Sequence, residues 1–238
     1  MPRKKSRKIK LRTKLKNEII CLNNADKVGW TESWTPGRNL VDFPHPFRLC
    51  ILGRVGFGKS TLAKNIFLRC QMGDTPFRQL YIIHGSPDTK EYDEFDPTMI
   101  ITDIPDPDEF GENDVKTLII IDDYEFESMN RLQKKNLSSL FRYVSSHHNV
   151  SIIVAFQSFF DVPTIIRKCS NVFIIYRPND DDELVTIGRR VGLKKDEILQ
   201  LFNNLLTKKR DTLTIDMTEN SPAILRKNLF TPIIKEVC

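Results

Sequence analysis

Gly53-Arg54-Val55-Gly56-Phe57-Gly58-Lys59-Ser60 matches the pattern G-x-x-x-x-G-K-[S/T] in full. An apolar run, Leu49-Cys50-Ile51-Leu52, precedes it, and a helix-like run beginning Thr61-Leu62-Ala63-Lys64 follows. A strand-loop-helix context is what this motif needs: backbone N–H groups wrap phosphates, and the helix that follows turns the positive end of its dipole toward them. Residues Gly53, Arg54, Val55, Gly56, Phe57, Gly58, Lys59, Ser60 and Thr61 are therefore expected to cradle a nucleotide. Lys59 would reach the β- and γ-phosphates and Ser60 would ligate Mg2+. Gly53 and Gly58 are expected to permit close backbone approach and positive φ. The alternative, a chance Gly-rich turn, has no reason to come with both flanks.

Outward from this loop the chain reads as alternating strands and helices. Strands are expected at Phe47–Gly53, Gln79–His84, Met99–Thr102, Thr117–Asp123, Ser151–Phe156, Val172–Tyr176 and Thr212–Asp216. Helices are expected over Lys59–Cys70, around Leu137, Leu140, Phe141 and Val144 with their i, i+3, i+4, i+7 spacing, and over Asp181–Val191 and Lys195–Leu206. The continuous Ile run of Thr117–Asp123 marks a strand buried on both faces. Such alternation predicts an α/β fold, a mostly parallel sheet with helices on both sides. Two acidic, Pro-rich stretches, Asp88–Pro97 and Asp103–Asp114, read as surface loops.

Composition bounds the rest. Of 238 residues, 40% are hydrophobic and 28% charged, within the range of globular proteins. The longest apolar runs are strand-sized, far short of the roughly 20 residues of a membrane span, and no secretory signal is legible. The five cysteines (Cys21, Cys50, Cys70, Cys169, Cys238) are odd in number and show no C-x-x-C spacing, which argues against a disulfide framework or zinc site and for a reducing compartment. The net charge of +5 is a property of the N-terminus: residues 1–16 carry nine Lys and Arg and no acid, and the remainder has 27 Lys and Arg against 31 Asp and Glu, a net of −4. Residues 1–16 are expected to form a disordered basic tail, serving nucleic-acid contact, nuclear import or only solubility. Residues 17–46 form an extension whose Trp30 and Trp34 could stack on nucleic acid or pack against the domain, the commoner use of such rings. The domain itself is expected over 47–238.

A phosphate loop needs an acidic partner on a neighbouring strand. Leu118-Ile119-Ile120-Ile121-Asp122-Asp123 delivers two carboxylates at the C-terminal end of a buried strand, the edge where open α/β sheets bind ligands. Asp122 is expected to hold the Mg2+ shell and Asp123 to activate water, with the longer Glu125 as fallback. Gln157 ends the next buried strand and is expected to orient the attacking water or read the γ-phosphate; the bland alternative is a polar residue satisfying nearby backbone groups. His147 and His148 have no third ligand at suitable spacing and read as a helix-end pair.

Gly53–Ser60, Ile119–Asp123, His148-Asn149-Val150-Ser151, Gln157-Ser158-Phe159-Phe160-Asp161-Val162-Pro163 and Ile166-Arg167 resemble, in this order, the viral genome-packaging ATPases of the FtsK–HerA type found in poxviruses, giant viruses, virophages and Maverick/Polinton elements. The stretch from Leu213–Asp216 to Arg226-Lys227-Asn228 is similar to their terminal strands, so the resemblance spans 45–235. It implies a three-layer, RecA/FtsK-like phosphate-loop fold. It implies an ATP- and Mg2+-dependent motor that translocates double-stranded DNA, assembled as a homo-oligomeric ring at a capsid portal or vertex. It further implies a virus-encoded protein acting inside the host cell, in a cytoplasmic factory or the nucleus, or with the virion. Gln157 matches that family's sensor, and Arg167 matches an arginine expected to reach a neighbouring subunit's γ-phosphate, a structural ion pair being the alternative. Where many relatives carry Gly-Arg-His, this chain has Ser145-Ser146-His147-His148, which leaves Arg142 or Arg167 for the finger; Asp122-Asp123 stands where relatives outside the viral branch have Asp-Glu. Two other readings stay open: a different phosphate-loop NTPase, helicase-like or for transport, and a nucleotide-gated DNA-binding or assembly protein without hydrolysis.

Overall fold

The computed structural model describes residues 37–86, 88–110 and 115–233. The basic tail, Trp30, Trp34, Cys21 and Cys238 lie outside the described residues.

Among the described residues nine strands form one sheet in the order β3-β2-β4-β5-β1-β6-β7-β8-β9. They are β1 (Arg48–Leu52), β2 (Gln79–His84), β3 (Met99–Ile101), β4 (Thr117–Asp122), β5 (Val150–Phe156), β6 (Val172–Tyr176), β7 (Thr212–Asp216), β8 (Leu225–Lys227) and β9 (Thr231–Pro232). β1 to β6 pair in parallel, and β7, β8 and β9 extend the sheet antiparallel beyond β6.

The period-2 alternation of a strand sorts the core into two layers. Leu49 and Ile51 of β1, Leu118 and Ile120 of β4, and Val172 and Ile174 of β6 face one side, under Ala63, Ile66, Phe67 and Cys70 of α1 (Lys59–Gln71). Cys50 and Leu52, Ile119 and Ile121, and Phe173 and Ile175 face the other. That side is covered by α2 (Arg131–Ser139), α3 (Ser145–His147), α4 (Thr164–Cys169), α5 (Asp181–Arg190) and α6 (Lys195–Gln200). The three-layer α/β architecture expected from the sequence is thus present.

Local chemistry explains the helix limits. Asn130 caps α2 by accepting from Leu132 N and Gln133 N, while the Gln133 side chain accepts from Asn130 N, a reciprocal capping box. The helix predicted around Leu137 and Val144 is present, but Leu140–Val144 is π-helical. The helix predicted to end at Leu206 likewise passes from α6 into a π-helical Leu201–Leu205. Asp180 caps α5 by accepting from Asp182 N; acids fill its first turn and Arg189 and Arg190 its last, complementing the helix dipole.

Residues 38–46 also pack on the sheet. Val41, Phe43 and Phe47 are fully buried. Arg226 of β8, itself 2% exposed, bridges Asp42 and Asp216, and Arg38 joins the same two carboxylates. Burying these charges is tolerable only because they meet one another, and the cluster ties residues 38–42 to β7 and β8.

Candidate functional site

The phosphate loop leaves the C-terminal end of β1 and enters α1. Gly56 and Gly58 have φ of 74° and 95°, the left-handed region that favours glycine, and Gly58 is the N-cap of α1. Gly53 serves differently from expectation: its φ is not positive, and a Cβ there would lie 2.7 Å from Tyr176 Cδ2. Tyr176, ending β6, packs against the first glycine of the loop and donates through its hydroxyl to the carbonyl of Gly58 at 3.3 Å. It is a buttress at both ends of the loop that sequence spacing alone gave no reason to single out.

One expectation of neighbourhood is corrected. The carboxylate strand β4 does not lie beside β1; β5 lies between them. Two strand spacings, about 10 Å, therefore separate β1 from β4. That gap leaves room for phosphates and a hydrated cation. The intervening strand β5 ends at Phe156, whose carbonyl accepts from Gly53 N at 3.1 Å, and Gln157 emerges from it, exposed, between the loop and the acids.

A cleft of about 760 Å³ joins these groups. Gly56, Gly58, Lys59, Ser60 and Thr61 line one side, Asp122, Asp123 and Glu125 the other, with Gln157 and Arg210 on the rim. Lys59 Nζ donates to the carbonyl of Arg54 at 3.3 Å. Burial lowers its pKa, and the charges of Asp122 and Asp123 oppose that shift. Asp122 is buried, whereas Asp123 has left the strand with φ 48° and is exposed. Beside this cleft, Arg54 and Lys209 lie over the Phe57 ring at 4.4 and 5.5 Å and line a second cavity of about 430 Å³ with Arg177 and Lys208. The local excess of positive charge favours a polyanion.

Arg167 is not part of this cleft. It stands on α4, with its guanidinium 5.5 Å over Phe159, a hydrogen bond to Thr164 Oγ1 at 3.3 Å, and its carbonyl accepting from Arg190. Arg142 is exposed on the π-helical stretch. Among the described residues Arg210, on which no sequence expectation fell, is the arginine that lines this cleft. The stretch Asp88–Pro97 also departs from its reading as a plain surface loop: Tyr92 is fully buried and donates to Asp122 Oδ2 at 2.7 Å. Its signal was an aromatic inside an acidic run, which charge counting hides. In the second such stretch Ile104 and Phe110 are buried as well.

The donor set can be tested against a metal. Among the described residues no group of three or more His, Cys, Asp and Glu is placed to hold an ion by itself, His147 and His148 included; His147 stacks on Tyr143 at 4.5 Å. Ser60 and Asp122 offer hard oxygen donors across the cleft. That is too few for a protein cage but fits Mg2+, which keeps waters and takes its remaining ligands from phosphates.

No protein-family model matches the sequence, and no curated protein does either. Among solved structures, the genome packaging NTPase B204 of Sulfolobus turreted icosahedral virus 2, in complex with sulfate, is similar with a TM-score of 0.53 and 19% identity over 80% of this chain and 98% of that one. The same NTPase with ATP-gammaS gives 0.53 and 16% identity, over 78% and 97%. The cytoplasmic domain of the type VII secretion ATPase EccC from Thermomonospora curvata gives 0.50 and 13% identity, over 80% of this chain and 24% of that one. At these identities the likeness establishes the fold, which is that of the phosphate-loop NTPases.

Proposed function

We propose that this chain is a virus-encoded ATPase that hydrolyses Mg2+-ATP to translocate double-stranded DNA during genome packaging. The observation that carries the reading is the single cleft at the C-terminal edge of the sheet that gathers the phosphate loop, both carboxylates of β4 and Gln157. The nearly full-length likeness to a genome packaging NTPase supports the choice of work to which hydrolysis is put.

Each residue then has a chemical task. The N–H groups of Gly53–Ser60 and the start of α1 hold the phosphates. Lys59, on the same cleft as Asp122 and Asp123, neutralises charge that builds on the γ-phosphoryl oxygens. Ser60 and Asp122 would hold Mg2+, which would supply neutralisation of the phosphate charge. Asp123, exposed to the cleft, accepts the proton of the attacking water, and Gln157 orients that water. Arg167 lies outside its own protomer's cleft, which suits a cation presented to a neighbour in a ring; Arg210 is the alternative from within. The capsid portal or vertex is the assumed docking partner.

Replacement of Lys59 by Ala tests the assigned site. Phosphate release should fall by about 100-fold or more, the scale seen when one charge-stabilising donor is removed. Turnover within twofold of the unmodified chain would move the site elsewhere.

A further inference from the structure

We infer that Tyr92 is a positioning residue for Asp122, and that its segment is a clasp that sets how tightly the cleft holds Mg2+. The inference rests on the reading of the cleft as a Mg2+-nucleotide site and adds a residue that the phosphate-loop pattern does not contain.

The geometry is specific. Tyr92 Oη donates to Asp122 Oδ2 at 2.7 Å. A phenol has one proton to give, and here it is committed to this carboxylate. One buried oxygen thus fixes the acid expected to meet the metal's shell.

The segment around Tyr92 is fastened to α1. Lys64 Nζ lies 5.1 Å over the Tyr92 ring and 5.9 Å over Phe95, and reaches Glu91 at 3.8 Å and Glu94 at 3.6 Å. Phe95 meets Phe67 of α1 edge-on at 5.6 Å. Tyr92 is therefore held by the same helix whose first turn carries Ser60, and spans from it to β4. With Oδ2 engaged by the phenol, Asp122 has Oδ1 left for the metal's shell, and rotation of its carboxylate is restrained.

The test titrates Mg2+ against a fluorescent, non-hydrolysable ATP analogue bound to the full chain, comparing the unmodified protein with Tyr92→Phe. The half-saturating Mg2+ concentration should rise about tenfold, the low end of the loss expected when a ligand's hydrogen-bond partner is removed, while affinity for the analogue in EDTA stays within twofold. Lys64→Ala, which loosens the clasp and leaves the phenol, should move the same midpoint by a smaller factor and carries the test if Tyr92→Phe does not fold. An unchanged Mg2+ midpoint in both variants, or an equal loss of affinity with and without Mg2+, overturns the inference alone. Binding that ignores Mg2+ in the unmodified protein overturns it together with the reading on which it rests.

Discussion

At the residue scale, the different roles proposed for the two adjacent carboxylates rest on backbone geometry. Asp122 ends β4 inside the sheet, whereas Asp123 turns into the left-handed region at φ 48°, which Asp tolerates better than most side chains. The conformation is held from β2: Gly85 N donates to the Asp123 carbonyl at 3.2 Å, and a Cβ on Gly85 would stand 2.6 Å from that oxygen. Gly85→Ala must therefore displace Asp123. The expected outcome is a kcat lower by tenfold to about a hundredfold, the scale of small misplacements at a reacting centre, with nucleotide Kd within twofold. Steady-state hydrolysis and calorimetric binding measure the two separately; an unchanged kcat would deny Asp123 its task. The phosphate loop, Asp122, Asp123 and Gln157 were legible because each ends a buried strand, and strand ends declare themselves by a change from apolar to polar. Tyr92, Gly85, Tyr176 and Arg210 were not, because each acts through a neighbour supplied by another part of the chain. Arg167 was legible as a residue but not as a position.

At the element scale, strands and helices followed from period-2 and period-3.6 apolar patterns, and their ends shifted by a residue or so. The order of strands did not follow, since nothing in β4 says that β5 will insert between it and β1. The π-helical turns at Leu140–Val144 and Leu201–Leu205 were also hidden, because one extra residue in a turn leaves the apolar spacing nearly intact. The lead-in to β1 shows a further case. His45 is 3% exposed; its Nε2–H donates to Asn149 Oδ1 at 2.6 Å and its Nδ1 accepts from Ser151 Oγ at 2.7 Å, tying residues 38–46 to the start of β5. Burial, with Lys116 adding repulsion, lowers its pKa from 6.5 to about 3. The folded chain therefore keeps His45 neutral at a pH where the unfolded chain takes up a proton. Stability from this group is fully present above pH 6.5 and is lost progressively as pH falls toward 3. Between pH 7 and 5.5 the loss is about 1 kcal/mol. Urea unfolding at these two pH values should show that difference, and His45→Gln should remove it; an equal slope in the variant would place the titration elsewhere.

At the scale of the whole molecule, the fold brings the cleft-lining groups of the phosphate loop, β4 and β5 to one sheet edge, and the antiparallel β7–β9 extend the sheet beyond β6. Among the described residues no helix is long and apolar enough to cross a membrane. The proposed motor turns hydrolysis into movement only if its track changes the rate at the cleft. The most direct measurement is phosphate release from Mg2+-ATP by the full chain, with and without double-stranded DNA, alongside Lys59→Ala. Turnover should rise several-fold on adding DNA and vanish in the variant. Turnover indifferent to DNA, or nucleotide binding with no phosphate released under either condition, would contradict the proposed function.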